Sequence, residues 1–144
     1  MRSLRLVRRL TLVLALSIPV AIAAQGNPAF KARLSPVPVD AITQPKTTGT
    51  GSVTATLRGN VLSVSGTFSG LQGPATIAQL HVAPRGMRGP AALDLTVTKG
   101  TSGTVQGDLT LTAAQVDHLR RLRLYVQIHS EAAPEGNLWG WLLP

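Results

Sequence analysis

The side chains able to do chemistry are few, and their spacing groups them. His81, His118 and His129 are the three histidines, and there is no cysteine. His81 ends a run in which Ile77, Gln79 and His81 alternate with Ala78, Leu80 and Val82. In Leu124–Ser130, Tyr125, Gln127 and His129 alternate with Leu124, Val126 and Ile128, and near the C-terminus Trp139 and Trp141 alternate with Leu138, Gly140 and Leu142. Alternate residues of a strand share a face. If the aliphatic faces form the core, Gln79, His81, Tyr125, Gln127, His129, Trp139 and Trp141 share one outer face, with the histidines neighbours on adjacent strands. Two chemistries suit such a set. Neutral imidazoles on one face are ligands for copper or zinc, which makes His81 and His129 candidate metal ligands, although no cysteine or nearby carboxylate supplies a third. Alternatively Gln79, Tyr125, Gln127, Trp139 and Trp141 form an amphipathic platform for a protein partner or a sugar. A competing arrangement buries both tryptophans under the segment 35–51 or against a helix.

Other chemistries find no support in the sequence. No Ser/His/Asp set stands out from the many serines, Glu131 and Glu135 lie in a turn, and no glycine-rich loop opens a helix as phosphate binding requires. The expectation is a protein that is not an enzyme, with no catalytic residues and no cofactor.

The positioning elements read as short strands. Residues 28–34 alternate Phe30, Ala32 and Leu34 against Lys31 and Arg33, and a proline-, glycine- and threonine-rich stretch, 35–51, follows as a long, mobile loop. Val53, Ala55 and Leu57, then Leu62, Val64, Gly66 and Phe68, mark two strands joined at Arg58-Gly59-Asn60. Further strands fall at 77–82, 93–97, 105–111, 124–130 and 138–142. Thr112-Ala-Ala-Gln115 is a capping box that opens one short helix ending near Arg121, with Val116 and Leu119 toward the sheet and His118 toward solvent. About eight strands and one helix predict an all-β fold, an antiparallel sandwich or partly closed barrel of Greek-key or meander order, with an almost wholly aliphatic core.

The first 23 residues read differently. Arg2, Arg5, Arg8 and Arg9 precede an apolar run from Leu10 that ends in Ala21-Ile22-Ala23, the pattern of a cleaved secretory signal peptide. This divides the chain into a leader, 1–23, and a single β domain, 24–144, with membrane contact only through the leader during export. The 144 residues carry a formal net charge of +8. Removing the leader takes four arginines with it and leaves ten Lys and Arg against six Asp and Glu, a balance of +4. Those cations are mostly scattered and no aromatic-interleaved basic stripe exists, which argues against nucleic acid as a partner. Without disulfides, core packing alone must hold the exported domain together.

The run from Tyr125 to Leu142, Tyr-Val-x-Ile-His-Ser followed by Pro-x-Gly-x-Leu-x-Gly-x-Leu, resembles the end of a CHRD (chordin-type) module, a repeat common in bacterial exported proteins. The resemblance spans Phe30 to Leu142. Ala78-Gln-Leu-His81 before Gly86-Met-Arg-Gly-Pro90 matches the family's Ala-x-His-Ile-His and Gly-x-x-Gly-Pro, with Gln79 in place of the first histidine and His81 keeping the second. His129-Ser130 matches the later His-Thr pair. The closing Gly-Glu-Ile-Arg-Gly-Gln becomes Gly136-Asn-Leu-Trp-Gly-Trp141. The resemblance implies an exported, secreted or periplasmic binding or structural module of bacterial type, whose partner is an unknown protein or envelope component. The alternative is a periplasmic metal-binding or redox protein using His81 and His129.

Overall fold

The computed structural model describes residues 26–144, so the expected signal peptide, 1–23, lies outside the described residues. Eight strands form in chain order: β1 (Ala29–Pro36), β2 (Thr50–Arg58), β3 (Val61–Ser69), β4 (Ala75–Val82), β5 (Ala91–Val97), β6 (Gly103–Thr110), β7 (Leu124–Ser130) and β8 (Leu138–Trp141). One helix, α1 (Ala113–Arg120), links β6 to β7. The strands pair antiparallel in the order β1-β2-β3-β6-β5-β4-β7-β8 and close into a barrel. The all-β expectation holds, and of its forms the structure takes the closed barrel. β3 lies beside β6 rather than β4, so the connection from β3 crosses two strands to reach β4, a Greek-key step and not a simple meander.

Closure depends on a short seam. β1 pairs with β2 from Ala29 to Leu34 and with β8 only at Ser35–Trp139 and Pro36–Leu138, extended by a bridge between Lys31 and Leu143. Full closure removes the exposed edges that a sandwich would leave. Alternation decides what lies inside: Phe30, Ala32, Leu34, Val53, Ala55, Leu57, Leu62, Val64, Phe68, Leu80, Val105, Val126, Ile128 and Leu138 all belong to one buried cluster. Phe30 and Phe68 are its aromatic members, as expected.

The capping box at α1 forms in both halves: Thr112 Oγ1 accepts from the Gln115 amide, and Gln115 Oε1 accepts from the Thr112 amide. Leu119 is fully buried in the core cluster and Val116 packs against it. His118 departs from the expected solvent orientation, because its ring is half-buried and its Nδ1 is shielded from solvent.

The stretch 35–51 also departs from expectation. It contains a 3-10 turn, Gln44–Lys46, which Asp40 prepares by accepting from the amides of Ile42 and Thr43. Val37 and Thr47 are buried, and the Val37 amide donates to the Asn137 carbonyl. Rather than a mobile loop, it is a strap tied across the barrel wall. Among the described residues no helix is long and apolar enough to cross a membrane.

Candidate functional site

Three adjacent strands set out the polar and aromatic residues in rows. β4, β7 and β8 are neighbours, and their registers place His81 opposite Tyr125 and Tyr125 opposite Trp141, with Gln79 opposite Gln127 and Gln127 opposite Trp139 in the next row. His129 stands two residues beyond Gln127 on β7. The expected grouping therefore forms, on the outer face of the barrel wall. Rings interlock across it: His81 stacks on Tyr125 at 5.0 Å and on His129 at 6.1 Å between centroids, and Trp141 lies 4.6 Å from Tyr125 and edge-on to Trp139 at 4.7 Å.

This face is not an open platform, however. Tyr125 is completely buried, Gln127 keeps 4% of its exposure, Trp139 8% and Trp141 9%. Val37 from the strap and Ala83 from the β4–β5 loop join Tyr125 and both tryptophans in a second apolar cluster, separate from the barrel core. Of the two arrangements the sequence allowed, burial of the tryptophans under the 35–51 segment is the one adopted. Only Gln79 and His129 stay half-exposed, and the Gln79 amide donates to Asp94 Oδ1 at 2.8 Å.

The polar atoms of the face hold its covers in place. Trp141 Nε1 donates to the Ala83 carbonyl at 3.0 Å, and the Gly89 amide donates to the Tyr125 hydroxyl at 3.0 Å. His81 Nδ1 lies 2.9 Å from the Gly89 carbonyl and His129 Nδ1 lies 2.8 Å from the Pro134 carbonyl. A carbonyl oxygen only accepts, so both rings carry their proton on Nδ1 and leave Nε2 as a bare lone pair. His129 Nε2 accepts from the Gln127 amide at 3.1 Å, whereas His81 Nε2 is buried without a partner. Burial lowers the pKa of His81; the Gly89 hydrogen bond acts in the opposite sense and the charge of His129 lowers it further.

Residues that pattern reading passed over anchor the third cover, the β7–β8 turn. Ser130 Oγ donates to Asn137 Oδ1 at 2.7 Å and accepts from the Ala133 amide, and Asn137 Nδ2 donates to the Thr48 carbonyl at 2.6 Å. Gly136 closes the turn at φ 129°, with its Cα so near Gln127 that an added Cβ would lie 2.8 Å from the amide nitrogen. Only glycine fits both demands. Arg88 then ties the covers to one another, donating to the Glu135 carbonyl at 3.0 Å and to the Pro38 carbonyl at 3.3 Å. Between them lies a hollow of about 460 Å³ lined by Val39, Asp40, Thr43, Arg88, Ala133 and Glu135, among others. Asn137 looked like turn chemistry in the sequence, and nothing in the local pattern marked it as a buried crosslink.

Among the described residues no group of three or more His, Cys, Asp or Glu side chains is placed to hold a metal ion. A ligand set here would start from His81 and His129 alone.

Barrel and face together define a class: a small antiparallel β-barrel domain whose wall carries an aromatic box largely covered by three loops. The CHRD domain model matches residues 30–142, from β1 through β8, and the chain belongs to the CHRD domain family. It is a family of non-enzymatic binding or structural domains, typically extracellular. No curated protein and no solved structure matches the chain.

Proposed function

We propose that the chain is an exported, non-enzymatic binding module that engages a protein or envelope component through the joined surface of the strap, the β4–β5 loop and the β7–β8 turn. The observation that carries this reading is Arg88, which bridges Pro38 and Glu135 and so fixes three sequence-distant loops around one hollow. Loops held on a rigid barrel are where recognition usually resides, since they vary in sequence without disturbing the core. The aromatic box beneath acts as their foundation and not as the contact surface.

The test is site-specific crosslinking in the producing cell, with a photoreactive residue placed at Val39 or Glu135, or at Ser65 on the far wall. A discrete partner captured from the first two positions and not from the third supports the reading. Identical products from all three would sink it.

The unpartnered Nε2 of His81, with the His129 Nε2 engaged only by the Gln127 amide, favours a second reading, a metal-binding protein using His81 and His129. Metal-bound imidazoles commonly donate their other nitrogen to a carbonyl, as both do here. Elemental analysis after chelator-free purification separates the readings: stoichiometric copper or zinc that disappears in H81A/H129A establishes the metal protein, and its absence from wild type leaves the binding module.

A further inference from the structure

A second hollow lies on the opposite edge of the aromatic box, along the β1–β8 seam, and shares no lining residue with the loop hollow. It measures about 240 Å³, and its walls include Lys31, Arg33, Ser35 and Arg85 around Trp139 and Trp141. The origin of this composition is simple. Phe30, Ala32 and Leu34 of β1 point into the core, so Lys31, Arg33 and Ser35 must point out, spaced about 6.8 Å apart on one side of the strand. Ser35 pairs with Trp139, and Lys31 exchanges both backbone hydrogen bonds with Leu143, which fixes this row beside the indoles. Arg85 arrives from the β4–β5 loop, whose position Trp141 sets through the Ala83 carbonyl.

The charge arrangement is what sets this hollow apart. Three cations converge on it, none of its lining residues is acidic, and the one ion pair among the described residues, Arg121–Asp117, is elsewhere. Like charges gathered round a concave surface of low dielectric raise the local positive potential and attract an anion. The planar forks of Arg33 and Arg85 match the paired oxygens of a carboxylate. A bare ion would leave most of the volume unfilled, and a drug-sized ligand generally occupies about 300–1,000 Å³. An anion attached to one small ring fits, with the ring's C–H groups against the exposed strips of the indoles and its hydroxyls within reach of Ser35.

We propose that the β1–β8 hollow binds a uronate ring of an acidic polysaccharide, with Lys31, Arg33 and Arg85 holding the carboxylate and Trp139 and Trp141 flooring the ring. The site shares no lining residue with the loop hollow, although Arg85 and Arg88 stand on the same β4–β5 loop.

Trp139 and Trp141 are the only tryptophans in the chain, so their fluorescence reports this hollow directly. Polygalacturonate titrated into the full-length protein at low salt should shift the tryptophan emission saturably, and galacturonate should reach the same change at higher concentration. Dextran, which is neutral, should give no response. K31Q/R33Q/R85Q should weaken the apparent affinity at least tenfold with an unchanged circular dichroism spectrum, whereas R58Q/R120Q/R121Q, which removes equal charge from remote positions, should bind as wild type. An unresponsive wild type overturns the proposal, as does equal weakening in the two triple variants, which would mean diffuse charge attraction. Inorganic phosphate displacing the polymer at the same concentration as galacturonate would also overturn it, by reducing the hollow to a simple anion site.

Discussion

His81 and His129 lie with ring centroids 6.1 Å apart and 30° between their planes, each using Nδ1 to hold a different loop, Gly89 for one and Pro134 for the other. Both rings therefore clamp a loop, and His81 does so with its Nε2 buried without a partner, where an added proton is costly. His81 has its pKa depressed below the ordinary 6.5, first by burial. A depressed pKa means that the folded state resists the proton while the unfolded chain accepts it. The contribution of His81 to stability is therefore complete above about pH 6.5 and is lost as the pH falls toward the folded-state pKa. Urea midpoints should drop between pH 7.5 and pH 5, and the drop should be smaller in His81→Gln. A drop of equal size in the variant would place the titration elsewhere.

Asn137 makes the longest-range side-chain link of this face, joining the β7–β8 turn to Thr48 in the strap. Asn137→Ala removes both its bonds, leaving the hydrogen of the fully buried Ser130 hydroxyl without an acceptor while its oxygen keeps the Ala133 amide, and releasing the strap at one point. An orphaned buried polar group costs roughly 1–3 kcal/mol, and the lost bond to Thr48 adds to that, so a destabilisation of about 2–4 kcal/mol is expected. Chemical denaturation measures it directly. A change under about 0.5 kcal/mol would show that the Ser130–Asn137–Thr48 link carries no load.

How much of this was legible in the sequence follows from the range of each interaction. Strand alternation is local, so Phe30, Ala32 and Leu34, or Val126 and Ile128, announced their inward faces, and the register-mates His81 and Tyr125 could be placed on the outer one. The capping box at Thr112 and Gln115 is equally local. What pattern could not show is what lies on top of a face. Burial of Trp139 and Trp141 depends on Val37, 102 residues before Trp139, and on Ala83, 58 residues before Trp141, and the closure of the barrel depends on two residue pairs between β1 and β8. The strap read as mobile because its composition is that of a loop; its order comes from Asn137, whose role is invisible without the third dimension. Leu122, at φ 58° just after α1, likewise takes a left-handed helix-ending conformation that glycine would have signalled and leucine does not.

The helix cap offers a contained test of local reading. Thr112→Ala deletes the acceptor for the Gln115 amide and half of the capping box. Loss of an N-cap costs about 1 kcal/mol. Since Leu119 alone of the helix is fully buried, the effect should stay near α1, seen as faster amide exchange at Gln115 with little change at the aromatic face. Accelerated exchange at Gly89 in this variant would instead reveal that α1 and the covered face are coupled.

Tyr125→Phe separates the foundation from the loop it supports. The ring keeps its contacts with His81, Trp139 and Trp141, and only the hydroxyl that accepts the Gly89 amide is lost. The expected cost is about 1–2 kcal/mol, because the half-buried Gly89 amide loses its partner. Its exchange should speed up markedly while amides of β2 and β3 keep their protection. The β4–β5 loop carries both Arg85 and Arg88, so loosening it should weaken uronate binding at the β1–β8 hollow and crosslinking at Glu135 together. If the variant exchanges faster at Gly89 yet binds and crosslinks as wild type, His81 and Trp141 are enough to position the loop and the Tyr125 hydroxyl serves stability alone.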